Sequence, residues 1–165
     1  MDFYQSLGHL VLGSRLRRVS EQFFSEINKI YQAKNIAFEA SWFPVFYRLS
    51  QEPAISIRQL ASELQVSHSA MSQLVSHLRK KGYLLTEGSE EDGRKQSISL
   101  TPAGETLLEQ VLPVWNEIKV AMYALEQENP AAANFLHSLE ALEDALNANP
   151  LSERVINAPT HASCI

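Results

Sequence analysis

The stretch Ser56–Leu85, SIRQLASELQVSHSAMSQLVSHLRKKGYLL, decides how the whole chain is read. Ile57, Leu60, Ala61 and Leu64 recur at the spacing that puts four side chains on one face of a helix. Ser56 stands where a hydroxyl accepts an orphan backbone N–H near Gln59, and Gln59 is placed to reach back in a capping box. Val66 is expected to close the following turn as an apolar plug. Ser67 then caps a second helix that carries Met71, Leu74, Val75 and Leu78 inward and stops at Gly82, a residue that tolerates the left-handed conformation. Its outward face holds Ser69, Ser72, Gln73, Ser76, His77 and Lys80. These side chains are short or hydrogen-bonding and include no acid, so the face can lie in a major groove, whose base edges present donors and acceptors.

Past Gly82 the period changes. Tyr83, Leu84 and Leu85 lead into a polar loop, Thr86 to Arg94, with glycines at 88 and 93, after which Ile98 and Leu100 alternate with Ser97 and Ser99. Alternation on either side of a glycine-containing loop is a hairpin. Arg94 and Lys95 stand just past its tip. A guanidinium there can enter a minor groove, and Asp92 can hold it across the turn. Two short helices and a hairpin make a winged helix-turn-helix, and the fold expected is mainly α with a small β wing.

Three pieces of this region resemble the MarR family of bacterial transcriptional regulators: SIRQLA from Ser56, VSHSAMSQLVSHL from Val66, and Asp92-Gly93-Arg94 followed by Leu100-Thr101-Pro102-Ala103-Gly104. The last combination is the most specific. The resemblance implies a homodimer that binds double-stranded DNA, with Asp92 and Arg94 in the wing and the face of Ser69, Ser72, Gln73 and Ser76 against bases. Arg58, Ser67, His77, Lys80 and Lys95 complete the candidate DNA-binding set. Family likeness further implies a small, often aromatic anion as effector, for which Arg15, Trp42 and Tyr47 are the pocket candidates.

A chain of 165 residues with 45% apolar content can bury one substantial core. No apolar run is long enough to span a bilayer and no signal peptide is recognisable, so the expected location is the cytoplasm and no membrane partner is expected. Cys164 is the single cysteine, in keeping with a reducing compartment. The net charge of −5 argues against a nucleic-acid partner. Its distribution softens that objection, since residues 54–100 hold six basic and five acidic side chains. So weak a footprint needs two copies of the domain on one duplex.

Before the winged region, Asp2 to Ala33 reads as one long helix with Phe3, Leu7, Leu10, Val11, Val19, Phe23, Ile27, Ile30 and Tyr31 as its stripe. Such a stripe needs a partner subunit. Arg15, Arg17 and Arg18 are read either as a solvated, salt-bridged face or as a carboxylate site. A break at 35–39 precedes a helix from Ser41 whose aromatic members, with Pro44 in the first turn, are either packed core or the lining of an effector pocket. After it, Thr101 and Pro102 open a long helix with Leu107, Leu108, Val111, Leu112, Trp115, Ile118, Met122 and Leu125 close to a seven-residue repeat and Pro113 inside. A last helix from about Asn129 turns Phe135, Leu139, Leu142 and Leu146 inward and ends near Asn149. The expected organisation is a single domain over 1–150, with 1–34 and 102–149 as dimerisation helices and 40–101 as the winged part; 151–165 reads as a tail or linker.

Catalytic machinery is not visible. His9, His68, His77, His137 and His161 have no ligand spacing, no serine lies in a Gly-x-Ser-x-Gly elbow, and no phosphate-binding glycine loop occurs, so neither an enzyme nor a metal or other cofactor is expected. Besides the repressor reading, two alternatives fit: a winged module that binds protein without reading DNA, and the regulatory part of a protein once fused to an acetyltransferase.

Overall fold

The computed structural model describes residues 3–88, 97–129 and 133–158. The chain divides into two compact units, Met1–Asn116 and Glu117–Ile165.

In the first unit, Phe3–Ser6 is a short helix, α1, followed by a 3-10 turn, Gly8–Val11, and then α2, Leu12–Ala33. The single helix expected from residue 2 is therefore interrupted. Gly8 takes φ +53, a left-handed conformation that ends a helical turn at no steric cost to glycine. Of the expected stripe only Tyr31 is buried; Leu10 is 90% and Phe23 42% exposed.

Three helix ends in this unit close the same way. After α2 the left-handed residue is Asn35 at φ +56; Asn35 N–H donates to Gln32 O at 3.0 Å and Ile36 N–H to Tyr31 O at 2.9 Å. After α4, Ile57–Glu63, it is Gln65 at φ +53, with Gln65 N–H on Ser62 O at 3.3 Å and Val66 N–H on Ala61 O at 3.0 Å. After α5, His68–Lys80, it is Gly82 at φ +81, with Gly82 N–H on Arg79 O and Tyr83 N–H on Leu78 O. Each is a Schellman end, which satisfies the last carbonyls and reverses the chain sharply. The turn between α4 and α5 is thus closed by backbone. Val66 is 43% exposed, so it is not the apolar plug expected.

The second short segment begins with a 3-10 turn, Ala40–Trp42, and α3, Phe43–Gln51, follows two residues later than Ser41. Ala40 N–H donates to the Asn28 side chain at 2.8 Å, and Pro44 lies in the first α turn, where its missing N–H leaves no bond unmade. Ser56 caps α4 by accepting Gln59 N–H at 3.1 Å. The reciprocal half of the capping box is not made, because the Gln59 amide turns along the helix to Glu63 at 3.0 Å.

Glu63 is also gripped by Arg48 of α3, Nε to Oε2 at 2.5 Å, while Arg48 Nη2 reaches Glu52 at 2.8 Å. The Arg48 hydrogen bond, helped by that of Gln59, holds the Glu63 carboxyl below its ordinary range. A folded pKa below the unfolded one contributes stability above the unfolded pKa and loses it as pH falls through the folded value. Urea midpoints of the wild type and of Glu63→Gln should therefore differ at pH 7 and converge only in acid below the ordinary carboxylate range, where the lowered Glu63 carboxyl is itself protonated; a gap that persists there would place the effect elsewhere than in ionisation.

Three strands form one antiparallel sheet in the order β1-β3-β2: β1 Ile55–Ser56, β2 Leu84–Glu87, β3 Ser97–Leu100. Thr86 and Glu87, expected in the loop, continue β2 opposite Ile98 and Ser97. The strand β1 was not expected. It pairs Ile55 with Ile98 and Ser56 with Ser97, so the α4 cap residue and the one apolar residue before it cover the free edge of β3. Ile55, Leu84 and Ile98 are buried, as are Leu60, Met71, Val75 and Leu78 of the two helices.

The helix α6, Pro102–Glu128, runs through Pro113. At its start Thr101 Oγ1 accepts Gly104 N–H at 3.0 Å and donates to Gly82 O at 2.6 Å. Its buried members in this unit are Gly104, Leu107, Val111 and Val114. Leu112 and Leu125 are exposed, so the buried line keeps Leu107 and Val111 of the expected stripe and the three- and four-residue steps but adds Gly104 and Val114 instead. An aromatic cluster completes the core. Phe38 makes edge contacts with Tyr31, Trp42, Phe46 and Trp115, and Trp115 Nε1 donates to Tyr31 Oη at 3.0 Å.

In the second unit, α7 is Phe135–Ala148 and α8 is Leu151–Ile156. Phe135 and Leu146 are exposed rather than inward, with Leu139 and Leu142 half-buried. Residues 151–156 are helical where a linker was expected. Arg154 explains the difference: its guanidinium donates to Asn149 O and Ala145 O, both at 2.7 Å, and ties the short helix to the end of α7. Of the expected start of this last helix at Asn129 and Pro130, Asn129 is not helical, and Pro130 and the tail beyond 158 fall outside the described residues. Among the described residues no helix is long and apolar enough to cross a membrane.

Candidate nucleic-acid interface

The candidate surface is built on α5. Ser67 starts it, accepting Ala70 N–H at 3.2 Å, and Met71, Val75 and Leu78 bury one side. At 3.6 residues per turn the opposite side carries Ser69, Gln73, Ser76 and Lys80, flanked by Ser72 and His77. Ser67, Ser69, Gln73, His77 and Lys80 are exposed, and Ser72 and Ser76 half-buried. Ser72 Oγ lies 3.4 Å from His68 Nδ1. Arg58 is exposed in the first turn of α4. One helix therefore presents seven of the eleven sequence-chosen residues from a single side or its N-terminus. Asp92, Arg94 and Lys95 lie outside the described residues.

Positive charge gathers at the other end of α5, where Arg79 and Lys80 occupy the last turn beside His77 and complement the helix dipole. Sequence reading missed two contacts there. Arg79 donates to Thr86 Oγ1 of β2 at 3.3 Å, linking helix to wing. Lys81 places its ammonium 5.3 Å from the centroid of the Trp42 ring. Neither follows any helical or strand period, so no pattern in the sequence signals them.

The effector candidates are placed separately. Trp42 is only 3% exposed, packed between Phe38 and Tyr83. Tyr47 is 48% exposed and stacks on Phe43, which meets Trp115 edge-on at 4.9 Å. Arg15 is exposed on α2, whose neighbouring cations are engaged: Arg17 with Glu21 at 2.8 Å, and Arg18 over the Tyr4 ring at 4.9 Å. A depression in the second unit, lined by Ala148, Asn149, Glu153, Arg154, Asn157 and Ala158, includes none of the three. Among the described residues no group of three or more His, Cys, Asp or Glu could hold a metal ion.

The sequence model of the MarR family matches residues 38–95, the span from the aromatic turn before α3 to the wing. Over that span the chain is similar to the MarR family. An uncharacterized HTH-type transcriptional regulator of Bacillus subtilis, YdcH, is 28% identical over 96 residues, 58% of this chain and 63% of that protein. The match thus spans less than two thirds of the relative's length. Among solved structures, a mutant MarR of E. coli complexed with operator DNA superposes with a TM-score of 0.61 at 19% identity, over 88% of this chain and 99% of that one. The S. aureus MepR–DNA complex gives 0.63 at 19% identity, over 78% of this chain and 96% of the other. At such identity the likeness to the solved structures is one of fold, and it extends beyond the span that the family model matches to most of the chain.

Proposed function

We propose that this chain is a DNA-binding transcriptional regulator that acts as a homodimer, laying α5 of each subunit in the major groove of an inverted repeat whose half-sites are about one helical turn, roughly 10 base pairs, apart. One observation carries the reading: the side of α5 away from the core is a line of hydrogen-bonding side chains without an acid, in the span that the MarR family model matches. The DNA complexes of E. coli MarR and S. aureus MepR support it as structures of the same fold. Homodimerisation is supported by the apolar line along α2, which the described residues leave exposed at Leu12, Val19 and Phe23 and half-buried at Leu16, Ile27 and Ile30. Asp92, Arg94 and Lys95 are assigned to the wing and the minor groove. Relief by a small aromatic or anionic effector is the finer part of the proposal. Tyr47 offers an open ring face for it and the enclosed Trp42 does not.

A gel-shift titration on the promoter region next to its own gene tests the reading. Sequence-specific retention that weakens steeply with salt is expected, and no retention at low salt would remove the regulator. On that duplex Gln73→Ala should change base preference by about 1–3 kcal/mol at one position. A uniform loss across all sequences would mean that Gln73 only holds the backbone.

A further inference from the structure

The Lys81 side chain is exposed, yet it is not without a seat: its ammonium stands 5.3 Å over the Trp42 ring. That ring is fixed, since Phe38 lies edge-on to it at 5.5 Å and Tyr83 tilted at 5.8 Å, and only 3% of Trp42 is exposed. His77, one turn earlier, tilts against the same indole at 5.9 Å. Lys81 continues α5 with helical backbone angles. It therefore lies roughly a hundred degrees round the helix from the middle of the base-reading face, where a groove-bound helix meets the sugar-phosphate wall rather than the base edges.

We propose that Lys81 is a further DNA-contacting residue, closing on a phosphate beside the groove, and that Trp42 is its positioning residue. This rests on the regulator reading above and extends it to a residue that the sequence did not single out. An aromatic face attracts an ammonium through its quadrupole and takes up none of its three N–H donors. All three remain for phosphate oxygens. A lysine stem already ordered on a rigid ring also has less rotamer freedom left to lose when the ion pair forms.

The test uses the full chain, a fluorescent duplex of its own promoter region and a random-sequence duplex of equal length, with affinity followed by anisotropy across a KCl series. Lys81→Met should flatten the slope of log affinity against log salt by about 0.9 for each phosphate no longer neutralised, close to 2 for a dimer. The change should be equal on both duplexes, with thermal unfolding unaltered, and Lys81→Arg should restore the slope. An unchanged slope in Lys81→Met, or a weakening confined to the promoter duplex, overturns the assignment. Wild-type protein that binds neither duplex at low salt is a different result and ends the regulator reading itself. For Trp42, a Trp115→Phe background leaves one tryptophan to watch. Adding duplex should shift its emission, and Lys81→Met should abolish the shift; no shift, or the same shift without Lys81, removes Trp42 from the arrangement.

Discussion

Phe23→Asp is expected to yield a monomer by light scattering and to weaken DNA binding by about 100-fold or more. Leu12, Leu16, Val19, Phe23, Ile27 and Ile30 follow one another along α2 at three- and four-residue steps, and not one of them is buried within this chain. A stripe of that length with Leu12, Val19 and Phe23 exposed and the rest only half-buried is expected to be a partner surface. A carboxylate at its centre must either lose its hydration in an apolar interface or hold the subunits apart, and the first costs several kcal/mol, about the scale of an unpaired buried charge. Once the subunits separate, each winged helix binds alone and the gain of roughly 10²–10⁴ from linking two sites disappears. The subunit itself should stay folded by circular dichroism, because Phe23 is not part of its core. If Phe23→Asp keeps the wild-type mass, or binds DNA as tightly, the α2 interface is excluded.

Gly104→Ala is the stability counterpart. A Cβ at Gly104 would stand far inside van der Waals contact with Tyr83 O and 3.1 Å from the Leu100 side chain. The carbonyl cannot easily give way, since it accepts Thr101 N–H at 3.0 Å and stands directly before β2. Forcing a methyl into packed backbone costs about 3 kcal/mol, against about 1 kcal/mol gained from the better helix propensity of alanine. The net loss of about 2 kcal/mol corresponds to a fall in Tm of about 4–8 °C for a protein of this size. A melting temperature within a degree of the wild type would show that the start of α6 can shift away from the wing without cost. Because Thr101 Oγ1 also donates to Gly82 O, the same strain should reach the end of α5, and DNA affinity should fall along with stability.

The amino-acid sequence by itself determined the local elements of the winged part. Apolar side chains at helical steps, serine caps at 56 and 67, and Gly82 after α5 are short-range signals, and they specified two helices and a hairpin as well as the outward face of α5. It also held the apolar line of α2 and the Leu100-to-Gly104 signature whose glycine turns out to touch a neighbouring backbone. Tertiary structure alone decided what depends on distance between segments. Periodicity says that a residue is apolar and on which side, but not what lies opposite it. Hence Trp42 fell within the aromatic core, Ile55 became a third strand on the edge of β3, Arg48 gripped Glu63 across two helices, and Lys81 settled on an indole. Where side chain and backbone competed to close a turn, the backbone prevailed: Gln65 accepts a left-handed conformation and Val66 stays half in water because the backbone bonds to Ser62 and Ala61 close the turn without help from a side chain.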